Sequence, residues 1–99
     1  MLNIEKNTNA SELTVSLTGR LDTTTAPELE KELKASLDGV TTLVIDMTAL
    51  DYISSAGLRV LLSAQKTMNK QGEMKVVHVG ETIMEIFEVT GFSDILIIE

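Results

Sequence analysis

The 99-residue chain contains no cysteine, no tryptophan and only one proline. The absence of cysteine excludes disulfides, zinc–thiolate sites and cysteine nucleophiles. The N-terminus lacks a basic segment followed by an apolar one, and no apolar run approaches the roughly 18 residues that span a bilayer. We therefore expect one domain over residues 1–99 that lies in the cytoplasm and is not inserted in a membrane.

Positive charge is also scarce, because eight Lys and Arg residues stand against fifteen Asp and Glu residues and the formal net charge is −7. A nucleic-acid backbone requires clustered basic side chains, so we expect no direct nucleic-acid binding. One stretch differs from the rest of the chain. Residues 56–72 contain Arg59, Lys66 and Lys70 but no acid, which distinguishes one face of one predicted helix.

Sequence patterns of catalytic and cofactor sites are missing as well. The only histidine, His78, falls in a predicted strand, and no Gly-x-Ser-x-Gly, dinucleotide-binding or phosphate-loop pattern occurs. Asp22, Asp46 and Asp51 could converge near strand ends, but their spacing is not that of a metal site, and helix caps or solvated loops explain them better. We therefore expect a protein that is not an enzyme and that binds no metal or other cofactor.

The apolar pattern of the first half predicts strands alternating with helices. Alternation over residues 13–17 predicts a strand, joined to a short earlier one by a turn at Asn7–Asn9. Leucines at every fourth position then predict an amphipathic helix that ends near Gly39. Thr25 and Glu28, three residues apart, predict a capping box at its start.

The second half continues the alternation. The apolar run Leu43–Ile45 predicts a central strand covered on both faces, and residues 51–55 are expected to connect it to a second helix. Further elements follow at regular spacing: a helix ending at Gly72, a strand over residues 75–79, a helix capped by Thr82 and Glu85 and ended by Gly91, and a strand over residues 95–98.

The resulting order, β-β-α-β-α-β-α-β, predicts an α/β fold. Strands that alternate with helices require crossover connections and therefore a largely parallel sheet. We expect a mixed sheet of four to five strands with an N-terminal antiparallel hairpin, and helices packed mainly on one face.

The segment Ser54-Ser55-Ala56-Gly57 lies where the second helix is predicted to begin. The first N–H groups of a helix have no intrahelical acceptor and carry partial positive charge, so an anion is stabilised there. A serine at this place can cap the helix or accept a phosphate of about −1.5 to −2 charges. The sequence offers neither a suitable base nor a nucleophile elbow, so we do not expect a catalytic serine. The cap and the phosphate acceptor both remain open.

Four segments, in this order and at these spacings, resemble the STAS domain (sulphate transporter and anti-sigma factor antagonist). Within it, the chain resembles the small stand-alone anti-sigma factor antagonists of bacteria, and the resemblance covers essentially the whole chain. The segments are Gly19–Asp22, Leu43–Met47, Tyr52–Leu58 and Gly91–Phe92.

The resemblance implies a binding switch. In such families the unphosphorylated antagonist binds an anti-sigma factor that is also a serine kinase, which phosphorylates the serine two residues before the motif glycine and thereby weakens the complex. A metal-dependent serine phosphatase reverses this step. The matching serine here is Ser55. Ser54, at a place where many members carry Asp, is a secondary candidate.

The same resemblance implies a partner-binding surface, to which we add Arg59 because it lies one helical turn after Ser55. The expected partner-binding residues are Asp22, Ser54, Ser55, Ala56, Gly57, Leu58 and Arg59. The free protein is expected to be a monomer. An alternative is a STAS-like structural or regulatory subunit of a membrane transport complex or of a signalling pathway without a sigma factor, in which the serine would only cap the helix.

Overall fold

The computed structural model describes residues 2–99 and contains five strands and three α-helices in the predicted order. A 3₁₀ turn at Phe92–Asp94 precedes the last strand. The elements are β1 (Leu2–Asn9), β2 (Glu12–Leu21), α1 (Ala26–Ser36), β3 (Thr42–Ile53), α2 (Ser55–Gln71), β4 (Glu73–Val77), α3 (Glu81–Thr90) and β5 (Ile97–Ile98).

The five strands form one mixed sheet in the order β1-β2-β3-β4-β5. Strand β1 is antiparallel to β2, and the other neighbouring strands are parallel. Each crossover from β2 to β5 moves one strand in the same direction, so right-handed connections bring α1, α2 and α3 to the same face. The predicted fold class is confirmed. The carboxyl ends of β2 and β3 and the N-termini of α1 and α2 consequently meet at one edge of the sheet.

Burial along β3 alternates, which contradicts the prediction that this strand is covered on both faces. Leu43, Ile45 and Met47 are buried against the helices, whereas Val44 and Asp46 are only half-buried on the opposite face. The continuous apolar run misled the prediction because Val44, although apolar, points to the open face.

Several local predictions are also corrected by the structure. The hairpin turns at Ala10–Ser11 rather than at Asn7–Asn9, because β1 pairs with β2 as far as Asn9 and Glu12. Helix α3 begins after Gly80, so Thr82 and Glu85 both lie inside the helix and the predicted capping box does not form.

The end of the chain differs from prediction too, apart from Gly91, which ends α3 in the left-handed conformation expected of a C-terminal glycine. Strand β4 ends at Val77, and His78 follows it with a φ of 56°. Strand β5 has only two residues and lies at the sheet edge.

None of the helices within residues 2–99 is long and apolar enough to cross a bilayer.

Candidate functional site at the start of helix α2

Ser54 joins β3 directly to α2 and is the N-cap of the helix. Its backbone N–H donates to the carbonyl of Leu21 at the end of β2 (2.9 Å), and its own carbonyl accepts the first helical hydrogen bond from Leu58 (2.9 Å). Its Oγ accepts a hydrogen bond from the N–H of Gly57 (3.4 Å). The cap predicted for one of the two serines is therefore Ser54. The predicted connection 51–55 is shorter than expected, since residues 51–53 belong to β3.

Ser55 is the first residue of α2 and is exposed. The N–H groups of Ser55 and Ala56 belong to the first turn, where a helix has no carbonyl of its own to bond. The first turn of α2 contains no acidic residue. A negative charge on the Ser55 side chain would therefore meet the positive end of the helix dipole without a repelling carboxylate in that turn.

Gly57 holds the start of α2 close to the sheet. A Cβ atom at this position would lie 2.7 Å from Cγ of Leu21 and 2.9 Å from Cγ1 of Ile53, distances shorter than carbon atoms tolerate. Both side chains are buried. The absence of a side chain at Gly57 thus allows the helix start to contact the ends of β2 and β3.

Asp22 organises the loop between β2 and α1. Its Oδ1 accepts hydrogen bonds from the backbone N–H and the hydroxyl of Thr24 (3.0 and 2.8 Å) and from the N–H of Thr25 (3.1 Å). The Thr24 hydroxyl and these N–H groups favour the charged carboxylate. Against some desolvation, they lower the pKa of Asp22 to about 2.

Thr25 is the N-cap residue of α1, but its side chain does not bond to the N–H groups of the helix. The predicted capping box with Glu28 is wrong, because the Thr25 hydroxyl donates to the carbonyl of Arg20 (2.8 Å).

Two further residues adjoin the site and were not among the predicted partner-binding residues. Arg20 and Tyr52 are paired across β2 and β3, one residue before the buried pair Leu21 and Ile53. The guanidinium carbon of Arg20 lies 4.3 Å from the centroid of the Tyr52 ring, a cation–π contact. The Arg20 Nε lies 3.8 Å from the second carboxylate oxygen of Asp22. The sequence signal that could have found Arg20 is the rarity of arginine in this chain.

Arg59 lies in the second turn of α2 and lines a shallow groove of about 210 Å³ between α1 and α2. Ala56, the residue after Ser55, also lines this groove. Residues from the start of both helices form its walls, namely Thr23, Ala26, Pro27, Glu30, Ala56, Arg59 and Val60.

The seven predicted partner-binding residues thus lie around one edge of the sheet, but they differ in exposure. Ser55 and Arg59 are exposed, and Asp22, Ser54 and Ala56 are half-buried. Gly57 and Leu58 are buried, the latter at 6% exposure. The surface available to a partner at this edge consequently comes from the first five.

The groups weighed for catalysis and metal binding are arranged differently. His78 is exposed and its Nδ1 lies 3.2 Å from Oδ1 of Asp46, on the open side of the sheet. The hydroxyl and N–H of Thr48, and then His78, lower the pKa of Asp46 below its usual value. Within residues 2–99, no three His, Asp or Glu side chains lie close enough to hold a metal ion. The possible convergence of Asp22, Asp46 and Asp51 therefore does not occur.

The chain belongs to the STAS domain family, whose model matches residues 2–99. It is 41% identical over 85 residues to BtrV of Bordetella bronchiseptica, an alignment covering 84% of this chain and 73% of BtrV. It is also 32% identical over 97 residues to the anti-sigma-B factor antagonist of Staphylococcus aureus, covering 96% of this chain and 90% of that protein. The family resemblance is confirmed.

The fold is shared with SpoIIAA of Bacillus, whose structure is known in two forms. The unphosphorylated form, described as an anti-sigma factor antagonist, matches with a TM-score of 0.77 and 16% identity over 100% of this chain and 87% of SpoIIAA. The phosphorylated form matches with a TM-score of 0.77 and 15% identity, over 98% and 91%. At these sequence identities the matches show a shared fold and nothing more. The TM-score is the same for both forms.

We expect replacement of Asp22 by Asn to change how stability depends on pH. The pKa of Asp22 is lowered in the folded state, so its contribution is complete above about pH 4 and is lost as the pH falls through about 2. Asp22→Asn should therefore be less stable than wild type at pH 7, and the difference should shrink on acidification. Urea unfolding of both proteins at several pH values between 7 and 2 measures this difference in stability.

Thr23→Ala, at an exposed position of the same loop and without a titratable group, is the matched control for this measurement. Its difference from wild type should stay constant with pH. A difference between wild type and Asp22→Asn that stays constant from pH 7 to pH 2 would contradict the assignment.

We expect Gly57→Ala to destabilise the protein by about 1–3 kcal/mol, because the new methyl group overpacks Leu21 and Ile53. At an ordinary helical position the same change would stabilise by roughly 0.5–1 kcal/mol. Leu21→Ala should cost about 2–5 kcal/mol alone. Combined with Gly57→Ala it should cost less than the sum, since the closer of the two clashing side chains is gone while Ile53 remains. Strict additivity in chemical denaturation would argue against this packing.

Proposed function

We propose that this chain is an anti-sigma factor antagonist that is switched by phosphorylation of Ser55. In its unphosphorylated form it binds an anti-sigma factor that is also a serine kinase. The kinase transfers the γ-phosphoryl group of ATP to the Ser55 oxygen in place of the hydroxyl proton, which releases ADP and weakens the complex. A metal-dependent serine phosphatase hydrolyses the phosphate and restores binding. The named function of the Staphylococcus aureus relative supports this proposal.

The observation that carries the proposal is the different environment of the two adjacent serines. The Ser54 hydroxyl caps the helix and Ser54 is half-buried, whereas Ser55 is exposed at the helix start. A kinase must bring the serine oxygen in line with its nucleotide, and an exposed side chain meets that requirement without unfolding. Ser54, whose modification would remove the cap, is the secondary site.

A phosphate on Ser55 acts through the partner and not through the fold. Within the free protein the dianion lies at the positive end of α2, where it is stabilised by roughly 0.3–1 kcal/mol per charge. In a complex the same charge has to be desolvated or has to face groups that were complementary to a neutral serine. Each 1.4 kcal/mol or so of this cost lowers the affinity tenfold. The equal fold similarity to both forms of SpoIIAA is consistent with such a switch.

The partner surface that we propose follows from exposure at this edge. Ser55, Ala56 and Arg59 would contact the kinase directly, and Asp22 and Ser54 would border the contact. Gly57 and Leu58, both buried, would contribute by fixing the helix start from beneath. The antagonist would bind as a monomer through this one edge.

Incubation of the purified chain with its kinase and ATP should add one phosphate, located on Ser55 by mass spectrometry. Ser55→Ala should remain unmodified, and Ser54→Ala should still be phosphorylated although the lost cap costs about 1 kcal/mol of stability. Binding measured by calorimetry should be retained by Ser55→Ala. Phosphorylated protein and Ser55→Asp should bind at least about tenfold more weakly.

Ser63→Ala, which removes an exposed hydroxyl in the middle of α2, is the matched control and should leave both phosphorylation and affinity unchanged. Phosphate that appears undiminished on Ser55→Ala would refute the site. Equal affinity of phosphorylated and unphosphorylated protein would refute the switch.

A further inference from the structure

Arginine occurs only twice in this chain, at positions 20 and 59, and both residues adjoin the start of α2. Arg20 precedes Leu21, whose carbonyl accepts the N–H of Ser54. Arg59 lies in the second turn of the helix. In a chain of net charge −7, both planar cations thus belong to the elements that meet at the start of α2.

The side chain of Arg20 is held in place but its hydrogen-bonding capacity is left free. It lies over the Tyr52 ring at 4.3 Å, and its Nε lies 3.8 Å from Asp22, beyond hydrogen-bond distance. Oδ1 of Asp22 is occupied by Thr24 and Thr25. No hydrogen bond within the described part of the chain uses the guanidinium, and 54% of the side chain is exposed.

This arrangement differs from that of an ordinary surface arginine. A long flexible side chain loses about 2 kcal/mol of rotamer entropy when a partner immobilises it. Stacking on Tyr52 restricts Arg20 beforehand, so less is lost on binding. Tyr52 is itself 38% exposed and is one of the large hydrophobic residues that remain at the surface. Arg and Tyr are the residue types enriched where binding energy is concentrated in protein interfaces.

We infer that Arg20, stacked on Tyr52, is an anchor for a carboxylate of the partner kinase and a determinant of which kinase binds. This inference rests on the proposed function. The unoccupied N–H groups of a guanidinium match a carboxylate in a bidentate geometry that Lys cannot form. An acidic segment of the kinase that contacts the edge of the sheet beside Ser55 would reach Arg20 and Tyr52, because each is the penultimate residue of a strand that leads into this edge.

The chemistry favours a protein carboxylate over a nucleic-acid phosphate. A nucleic acid would have to approach a chain with fifteen acidic residues, and seven formal negative charges would oppose it. An acidic segment of a folded partner needs to place only one carboxylate next to Arg20. The remaining contacts of such a partner would come from the edge around Ser55.

The test is calorimetric titration of the purified kinase that phosphorylates Ser55 with variants of this chain. Arg20→Glu should weaken binding on the order of 30-fold or more, because it brings like charges together. Arg20→Lys should lose several-fold, since the charge remains but the planar fork does not. Tyr52→Leu should also lose several-fold, whereas Tyr52→Phe should bind like wild type because the ring is kept. The affinity of wild type should fall with added salt more steeply than that of Arg20→Gln.

Lys70→Glu is the matched control, because it makes the same change of net charge in the last turn of α2. It should alter the affinity by no more than about twofold. Thermal unfolding of each variant checks that the exposed substitutions leave the fold intact. Replacing the partner's acidic residue by Arg should restore binding of Arg20→Glu, as a charge exchange requires.

The outcomes separate this inference from the proposed switch. Arg20→Glu that binds as tightly as Lys70→Glu would overturn the anchor, even if Ser55→Asp abolishes binding as the switch requires. Loss of binding in Arg20→Glu with undiminished binding of Ser55→Asp would support the anchor and refute the switch. Wild-type affinity of Arg20→Lys would reject a bidentate anchor. Wild-type affinity of Tyr52→Leu would reject a stacked one.

Discussion

The junction between the sheet and the start of α2 is the contact on which the site depends. The N–H of Ser54 donates to the carbonyl of Leu21, and Gly57 lets the helix approach Leu21 and Ile53 without an intervening side chain. Three points of attachment therefore connect the helix start to two parallel strands. The position of Ser55 relative to β2 is therefore set by a backbone hydrogen bond and by close packing at Gly57.

Topology explains why the residues of the candidate site lie at one corner. The strands from β2 to β5 are added in chain order, so all crossovers have the same hand and all helices lie on one face. The β2–α1 loop with Asp22 and the β3–α2 junction with Ser55 consequently lie side by side, although 33 positions of sequence separate the two residues. Binding sites of open α/β sheets form at the carboxyl ends of strands for this same reason.

The sequence predicted the parts of this arrangement that depend on local patterns. Apolar periodicity gave the order of elements, and Ser-Ser-Ala-Gly gave the start of α2 with a serine cap. Prediction from the sequence failed where a contact with a residue distant in the chain determines the local structure. Thr25 bonds to Arg20 and Asp22 instead of capping α1, and β3 extends to Ile53 because Arg20 and Leu21 pair with its end. Val44 is apolar and was expected in the core, yet it lies on the face of the sheet that the helices do not cover.

Arg20 and Tyr52 show the limit of local patterns most clearly, because neither residue is unusual within its own segment. Their contact requires the register of β2 and β3, which includes an irregularity between Gly19 and Arg20 that aligns Arg20 with Tyr52 instead of Asp51. In the regular register, Arg20 would have been aligned with the carboxylate of Asp51. The shift places its guanidinium over the Tyr52 ring, and although Asp22 lies 3.8 Å from its Nε, no hydrogen bond among residues 2–99 uses its N–H groups. A change of one residue in strand alignment thus produces the stacked arginine on which the proposed anchor rests.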